Sequence, residues 1–333
     1  MYYSANKDNF FTNKFKKKDN HIFIPSTSES PEECIIAEAD HKECYDFMTE
    51  KFIQSKRLGF IRNAWWIKHM NFSIKDEDII WIDMEKPHIY QIEISLTNRC
   101  NLNCTSCMHF CNIADEDAEV SVDEFESYLR KLSKLQIVRI ELLGGETLLV
   151  PDLEVKVKLA RQYFPNSEIV IITNGLLLNK MKESFWKTIR DNKVLFSVSM
   201  YGKMHENYIK LKSLFIKKKI MFRLYLVSQF QKFLTINGNH DPVYENQKCP
   251  TKPCRIIYKN NVYHCPVEAK KYFLEKKFNI KLAKENPISI DDFVDNPDKL
   301  NEPSNLCKYC TSLHFSKWIK RNKIEMSDWI VNE

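Results

Sequence analysis

The 333-residue sequence predicts an α/β fold built on a parallel sheet. Between residues 91 and 227, short apolar runs alternate with amphipathic stretches of helical length, the pattern of parallel strands joined by crossover helices. The first three runs also end in compact turns, Asn98-Arg99, Gly144-Gly145-Glu146 and Asn174-Gly175. Open parallel sheets and barrels place their chemistry at such strand ends.

The elements follow in order. The run at 91–97 (QIEISLT) reads as the first strand and 137–143 (IVRIELL) as a buried second one. Further strands are expected at 168–172, 194–200 (ending in Tyr201-Gly202) and 220–227, with 234–236 a weaker sixth. Helices are expected at 121–135, 152–163, 179–190 and 204–218, the last closed by Lys217-Lys218-Lys219, where cations suit the helix dipole. Residues 89–240 would thus be the core. Residues 1–88 form an N-terminal region with no usable motif. There, 25–31 (PSTSESP) resembles a linker, 40–70 looks helical with adjacent Trp65 and Trp66, and no small sheet is evident. Residues 245–333 form a C-terminal extension.

Composition narrows the function. Hydrophobic residues make up 44% of the chain, ample for a core, and no apolar run reaches membrane-spanning length. No basic start followed by an apolar segment marks a signal peptide, so a cytoplasmic location is expected. The net charge of +6 comes from 50 Lys+Arg against 44 Asp+Glu, scattered as on a solvated surface, and no nucleic-acid module is recognisable. Eleven cysteines, several grouped in tight spacings, read as metal ligands rather than disulfides.

The most informative group is Cys100, Cys104 and Cys107, spaced C-x3-C-x2-C directly after the first strand. Three thiolates leave one iron of a 4Fe–4S cluster open, as a catalytic centre requires, whereas a zinc knuckle would use a closed set. After the second strand, Gly144 and Gly145 would let a ligand approach the backbone, and Glu146 offers a carboxylate to an ammonium group. In the C-terminal third, ten residues separate Cys254 from Cys265, with Asn260-Asn261 as a hairpin signal between them, and Cys307 and Cys310 form a C-x2-C pair. Four such ligands suit zinc or a complete 4Fe–4S set. Cys249 is a fifth candidate and Cys111 a spare thiol.

Together, C-x3-C-x2-C, Gly-Gly-Glu and Thr173-Asn174-Gly175 resemble the radical S-adenosylmethionine (radical SAM) superfamily over roughly residues 90–230. The resemblance implies a partial (β/α)6 barrel. It also implies that Cys100, Cys104 and Cys107 ligate a 4Fe–4S cluster and that Gly144, Gly145 and Glu146 receive the methionine ammonium of SAM. Ser199 is a further candidate for cofactor contact. Reductive cleavage of SAM would yield a 5′-deoxyadenosyl radical that takes hydrogen from substrate, with flavodoxin or ferredoxin as electron donor. The position before the third cysteine, often aromatic in the family, is Ser106; Met108, His109 and Phe110 follow and could supply that surface. Cys254, Cys265, Cys307 and Cys310 resemble the twitch form of the SPASM extension, which holds an auxiliary cluster, with zinc as the alternative. The substrate expected is a small polar molecule such as a sugar or nucleotide-sugar; the alternatives are a ribosomally made peptide or partner protein, or a non-enzymatic zinc protein.

Overall fold

A computed structural model describes four strands within residues 22–83, and residues 85–331 apart from 250, 253, 285 and 321. The N-terminal strands are β1 (Ile22–Pro25), β2 (Glu33–Glu38), β3 (Arg57–Ile61) and β4 (Ile79–Asp83), and they form one sheet in that order. This corrects two expectations. A small sheet is present, and 57–61, within the stretch expected to be helical, is a strand paired to both neighbours. Trp65 and Trp66 lie outside the described residues.

The core sheet begins with β5 (His88–Ser95), β6 (Gln136–Leu143), β7 (Glu168–Thr173), β8 (Leu195–Tyr201) and β9 (Met221–Val227). All five are parallel to their neighbours, in sequence order across the sheet. The crossovers are α1 (Val122–Leu132), α2 (Leu153–Tyr163), α3 (Glu183–Asp191) and α4 (Tyr208–Lys218). Ser121 caps α1 by accepting from the Glu124 amide at 3.1 Å, and α1 buries Phe125, Tyr128, Leu129 and Leu132. Strand alternation then sorts the sheet. Ile92, Ile94, Ile140, Leu142, Ile169, Ile171 and Phe196 join the apolar core with the helices. The intervening Gln91, Glu93, Arg139, Glu141, Glu168 and Ser197 lie on the other face.

The sixth strand is not at 234–236. After β9 the chain turns at once into β10 (Gln229–Leu234), which pairs antiparallel with β14 (Cys310–Lys317). A one-residue connection cannot place a parallel neighbour, which needs a crossover. The sixth parallel strand comes from the extension instead. There, α5 (Pro242–Lys248) leads to β11 (Ile256–Tyr258), which pairs parallel to β5 with Ile256 opposite Glu93. β12 (Asn261–Tyr263) and β13 (Ile288–Ser289) continue that edge antiparallel, and α6 (Pro266–Phe278) and α7 (Ile290–Asp295) pack nearby. The β11–β12 turn is Lys259-Asn260, with φ of 48° and 63°, one residue earlier than the Asn-Asn signal suggests. Two successive left-handed residues match the twist of a tight hairpin. The result is a partial (β/α) barrel sheet closed at its first edge by the C-terminal extension.

Candidate active site

Three motif loops meet at the C-terminal ends of β5, β6 and β7. The Gly145 amide donates to the Thr97 carbonyl at 2.8 Å and the Glu146 amide to that of Arg99 at 2.8 Å. A Cβ on Gly144 would lie 2.4 Å from the Thr97 carbonyl oxygen, and one on Gly145 would lie 2.1 Å from that of Arg99. The glycines therefore admit the backbone that leads into the cysteine loop. Glu146 is fully buried and accepts from the Leu148 amide at 3.0 Å, the Thr173 hydroxyl at 2.6 Å and the Asn174 amide at 2.8 Å. Burial raises its pKa against those bonds. Asn174 Nδ2 donates to Asn101 Oδ1 at 2.7 Å, tying the third turn to the cysteine loop.

Cys100, Cys104 and Cys107 lie on that one loop; the Cys107 charge acts on both of the others and that of Cys100 on Cys104. Burial pushes Cys100 up to about 11, with the Cys107 and Glu146 charges adding to it, and pushes Cys104 up to about 12. Cys107 is pulled down to about 6, first by a hydrogen bond with Cys111. Cys111 is thus the thiol partner of Cys107 rather than a spare. Cys100 and Cys104, whose proton affinity the Cys107 thiolate raises, form with it a donor set that a cationic metal centre would compensate, because a bound cation deprotonates a coordinating thiol. The residues fit a cluster.

The surroundings contain groups that sequence reasoning missed. Lys270 on α6 is fully buried and donates to Ser95 Oγ and Asn98 Oδ1, each at 2.8 Å. Burial pushes its pKa down, and the charges of Cys111, Cys107 and Glu93 oppose this. Tyr201 stacks on Phe230 and Trp318, with ring centroids 5.5 and 5.7 Å away. Its hydroxyl is hydrogen-bonded with Ser199 and senses all three cysteines, so its pKa is raised, chiefly by burial. Ser199 is half-buried at the end of β8. The chain after β14 clamps the loop: the Thr105 amide donates to the Ile319 carbonyl at 3.1 Å, and Trp329 Nε1 donates to that of Cys107 at 2.9 Å. Ser106 is buried beneath that tail, near Ser316 Oγ at 3.2 Å. Phe110 packs on Trp329 with centroids 5.8 Å apart, and His109 is pushed down to about 3 by burial. The contacts of the tail with the cysteine loop have no short-range sequence signature, because they join residues about 200 apart.

The second cysteine set differs from expectation. Cys249 follows α5, Cys265 caps α6, Cys307 lies in the turn Asn305–Tyr309 and Cys310 opens β14. These four line one hollow with His264 and Glu245. Cys265 and Cys310 are pushed well up and Cys307 to about 11, by burial first and then by neighbouring charges that include Cys249 in each case. Among the described residues, no three His, Cys, Asp or Glu side chains converge at single-ion distance, so the grouping rests on the shared hollow and the mutual electrostatics. Cys254 is not in the hollow. It lies two residues before β11, and pairing of that strand with β5 carries it alongside Gln91, whose Nε2 is 3.8 Å from its sulfur, and Glu93. Strand pairing therefore sets Cys254 apart from the four that line the hollow, although the Cys249 charge still acts on it.

Residues 94–214 match the Radical SAM superfamily. The likeness is confined to this segment of the chain. It is 39% identical over 99 residues to a GTP 3′,8-cyclase of Mycolicibacterium smegmatis, a match covering 29% of this chain and 27% of that protein. It is 30% identical over 146 residues to a GTP 3′,8-cyclase of Aquifex aeolicus, covering 39% of this chain and 46% of that protein. The matches thus span less than half the length of these relatives. Among solved structures, BtrN in complex with AdoMet and 2-DOIA aligns with TM-score 0.46 and 21% identity over 68% of this chain and 95% of that one. AdoMet-bound anSMEcpe aligns with TM-score 0.45 and 15% identity over 67% and 83%. No helix among the described residues is long and apolar enough to cross a membrane.

Proposed function

We propose that this chain reductively cleaves SAM and uses the radical to take a hydrogen atom from a small polar substrate. The observation that carries this is the convergence of the cysteine loop, the Gly144–Glu146 turn and the Thr173–Gly175 turn above a polar inner sheet face. Cys100, Cys104 and Cys107 would hold the 4Fe–4S cluster. When bound, cluster and SAM supply a one-electron cleavage of the sulfonium C–S bond to a 5′-deoxyadenosyl radical. The Gly144–Glu146 turn would receive the methionine ammonium, and Ser199 with Tyr201 would contact the cofactor from β8. The tail around Ile319 and Trp329 covers the loop and limits water there. Cys249, Cys265, Cys307 and Cys310 would hold an auxiliary 4Fe–4S cluster as in a twitch extension, with zinc as the alternative. A flavodoxin or ferredoxin would supply electrons, and the free thiols of the nine described cysteines suit a reducing cytoplasm.

The inner face supports a polar substrate: it presents Arg139, Glu141, Glu168, Ser197 and Arg223 to one side of the sheet. The curated relatives named for GTP favour a nucleotide or sugar-bearing molecule within that class. A ribosomally made peptide is the second reading, favoured by the N-terminal sheet β1–β4, whose β1 is an edge that a peptide strand could extend. The test is iron and sulfide content after anaerobic reconstitution, followed by 5′-deoxyadenosine formation with dithionite. About eight irons per chain and 5′-deoxyadenosine are expected. Zinc without iron would make the chain a structural zinc protein.

A further inference from the structure

Strand pairing leaves Cys254 outside the four-cysteine hollow and inside the barrel. Beside it stands Glu93, only 5% exposed, whose backbone amide donates to the Arg255 carbonyl at 2.7 Å. Glu93 Oε1 accepts from Gln91 at 3.3 Å, while Oε2 is buried with no hydrogen-bond partner. A buried carboxyl oxygen left unpaired costs roughly 1–3 kcal/mol unless a ligand or a proton satisfies it. Both groups lie on the inner sheet face, where Glu93 is four residues before Thr97, about 13 Å of extended chain below the cysteine loop. Lys270 senses both Glu93 and Cys107, so one buried cation lies between the pair and the loop.

We propose that Cys254 donates a hydrogen atom to a carbon radical inside the barrel and that Glu93 is the acid that restores its thiol. This rests on the radical SAM reading above. In the step, the Cys254 S–H bond breaks and a C–H bond forms, quenching the carbon radical and leaving a thiyl radical. One electron from a low-potential donor of the flavodoxin or ferredoxin class reduces the thiyl to a thiolate. Glu93 protonates that thiolate and regains its proton from solvent. The direction of transfer suits the pair, since burial and the Glu93 charge hold Cys254 well above its ordinary pKa. Burial and then Glu141 raise Glu93 to about 8, so it carries a proton near neutrality.

A thiol exchanges with solvent, which gives a test that needs no substrate. The reconstituted full chain is given SAM and dithionite in D2O, and the deuterium in the 5′-deoxyadenosine formed is measured by mass spectrometry. The native chain is expected to yield deuterated product. In Cys254→Ala and Cys254→Ser, deuterium per molecule of product should fall about tenfold; equal deuterium in native and variant chains overturns the proposal. Both variants should keep about eight irons. A drop to about four would make Cys254 a cluster ligand and overturn both this proposal and the assignment of Cys249. If the native chain forms no 5′-deoxyadenosine, the radical SAM reading falls and takes the proposal with it. Glu93→Gln should form its first product at the native rate and slow about tenfold in later turnovers; unchanged later turnovers remove Glu93 from the mechanism.

Discussion

The two cysteine groups of this chain are built in opposite ways. Cys100, Cys104 and Cys107 sit within eight residues of one loop, so their spacing alone keeps the three thiols on one segment. Cys249, Cys265, Cys307 and Cys310 come from a helix end, a helix cap, a turn and a strand start, and only the tertiary fold collects them. The first group is legible as sequence. In the second, Cys249 and Cys254 lie five residues apart, and pairing of β11 with β5 carries only Cys254 to the sheet face. A local ligand set can be read from spacing, whereas a dispersed one needs the register of the strand between its members.

The comparison breaks most sharply at Cys104. Under the proposed cluster assignment Cys104→Ala would remove one of three ligands from an already incomplete set, so 5′-deoxyadenosine formation should fall by about a thousandfold or more, a barrier increase of roughly 4 kcal/mol. Native-level product in that variant would remove the catalytic role of the loop. The dispersed set should respond differently. Cys249→Ala is expected to lower iron from about eight to about four per chain and leave 5′-deoxyadenosine detectable. Unchanged iron in that variant would return its place to another thiol.

A smaller effect is expected where the motifs lock together. In Gly145→Ala the new methyl would meet the Arg99 carbonyl oxygen at 2.1 Å, backbone against backbone. Overpacking of this kind costs about 1–3 kcal/mol, so the unfolding midpoint should drop by several degrees. Cluster loading should fall with it, because Gly145 and Glu146 hold the strand end that leads into Cys100. A midpoint within a degree of native would show that the two loops move apart freely.

Much of the fold was legible from particular signals. The runs that became β5 to β9 alternate with helical periodicity, and that local pattern places every parallel strand of the first five. The sixth was not legible, because β11 is three residues long and its partner lies more than 160 residues earlier. The N-terminal sheet was missed for a related reason: its strands are four to six residues long, without turn signals that stand out from a polar background. At the site, Gly144, Gly145 and Glu146 were found from their motif, yet their contacts are with the protein itself. Lys270, Trp318 and Trp329 had no signal at all, since what qualifies them is proximity to a loop far away in sequence.

The smallest predicted effect separates the barrel thiol from the dispersed set. Glu93 has its pKa raised from an ordinary 4.5 to about 8 in the folded chain. Between those values the folded chain keeps a proton that the unfolded chain has released. The unfolded state therefore binds fewer protons, and stability falls as pH rises through this window. The slope from one such group is at most about 1.4 kcal/mol per pH unit, and Glu141 shifts in the same direction. Glu93→Gln keeps the shape and the hydrogen-bonding capacity but cannot ionise. Its unfolding midpoint, compared at pH 6 and pH 8, should therefore decline roughly half as much as that of the native chain. Cys249→Ala should leave that decline as it is, because Cys249 lies in the other hollow. Equal declines in native and Glu93→Gln chains would mean that Glu93 ionises normally and that the pair with Cys254 has no proton to give.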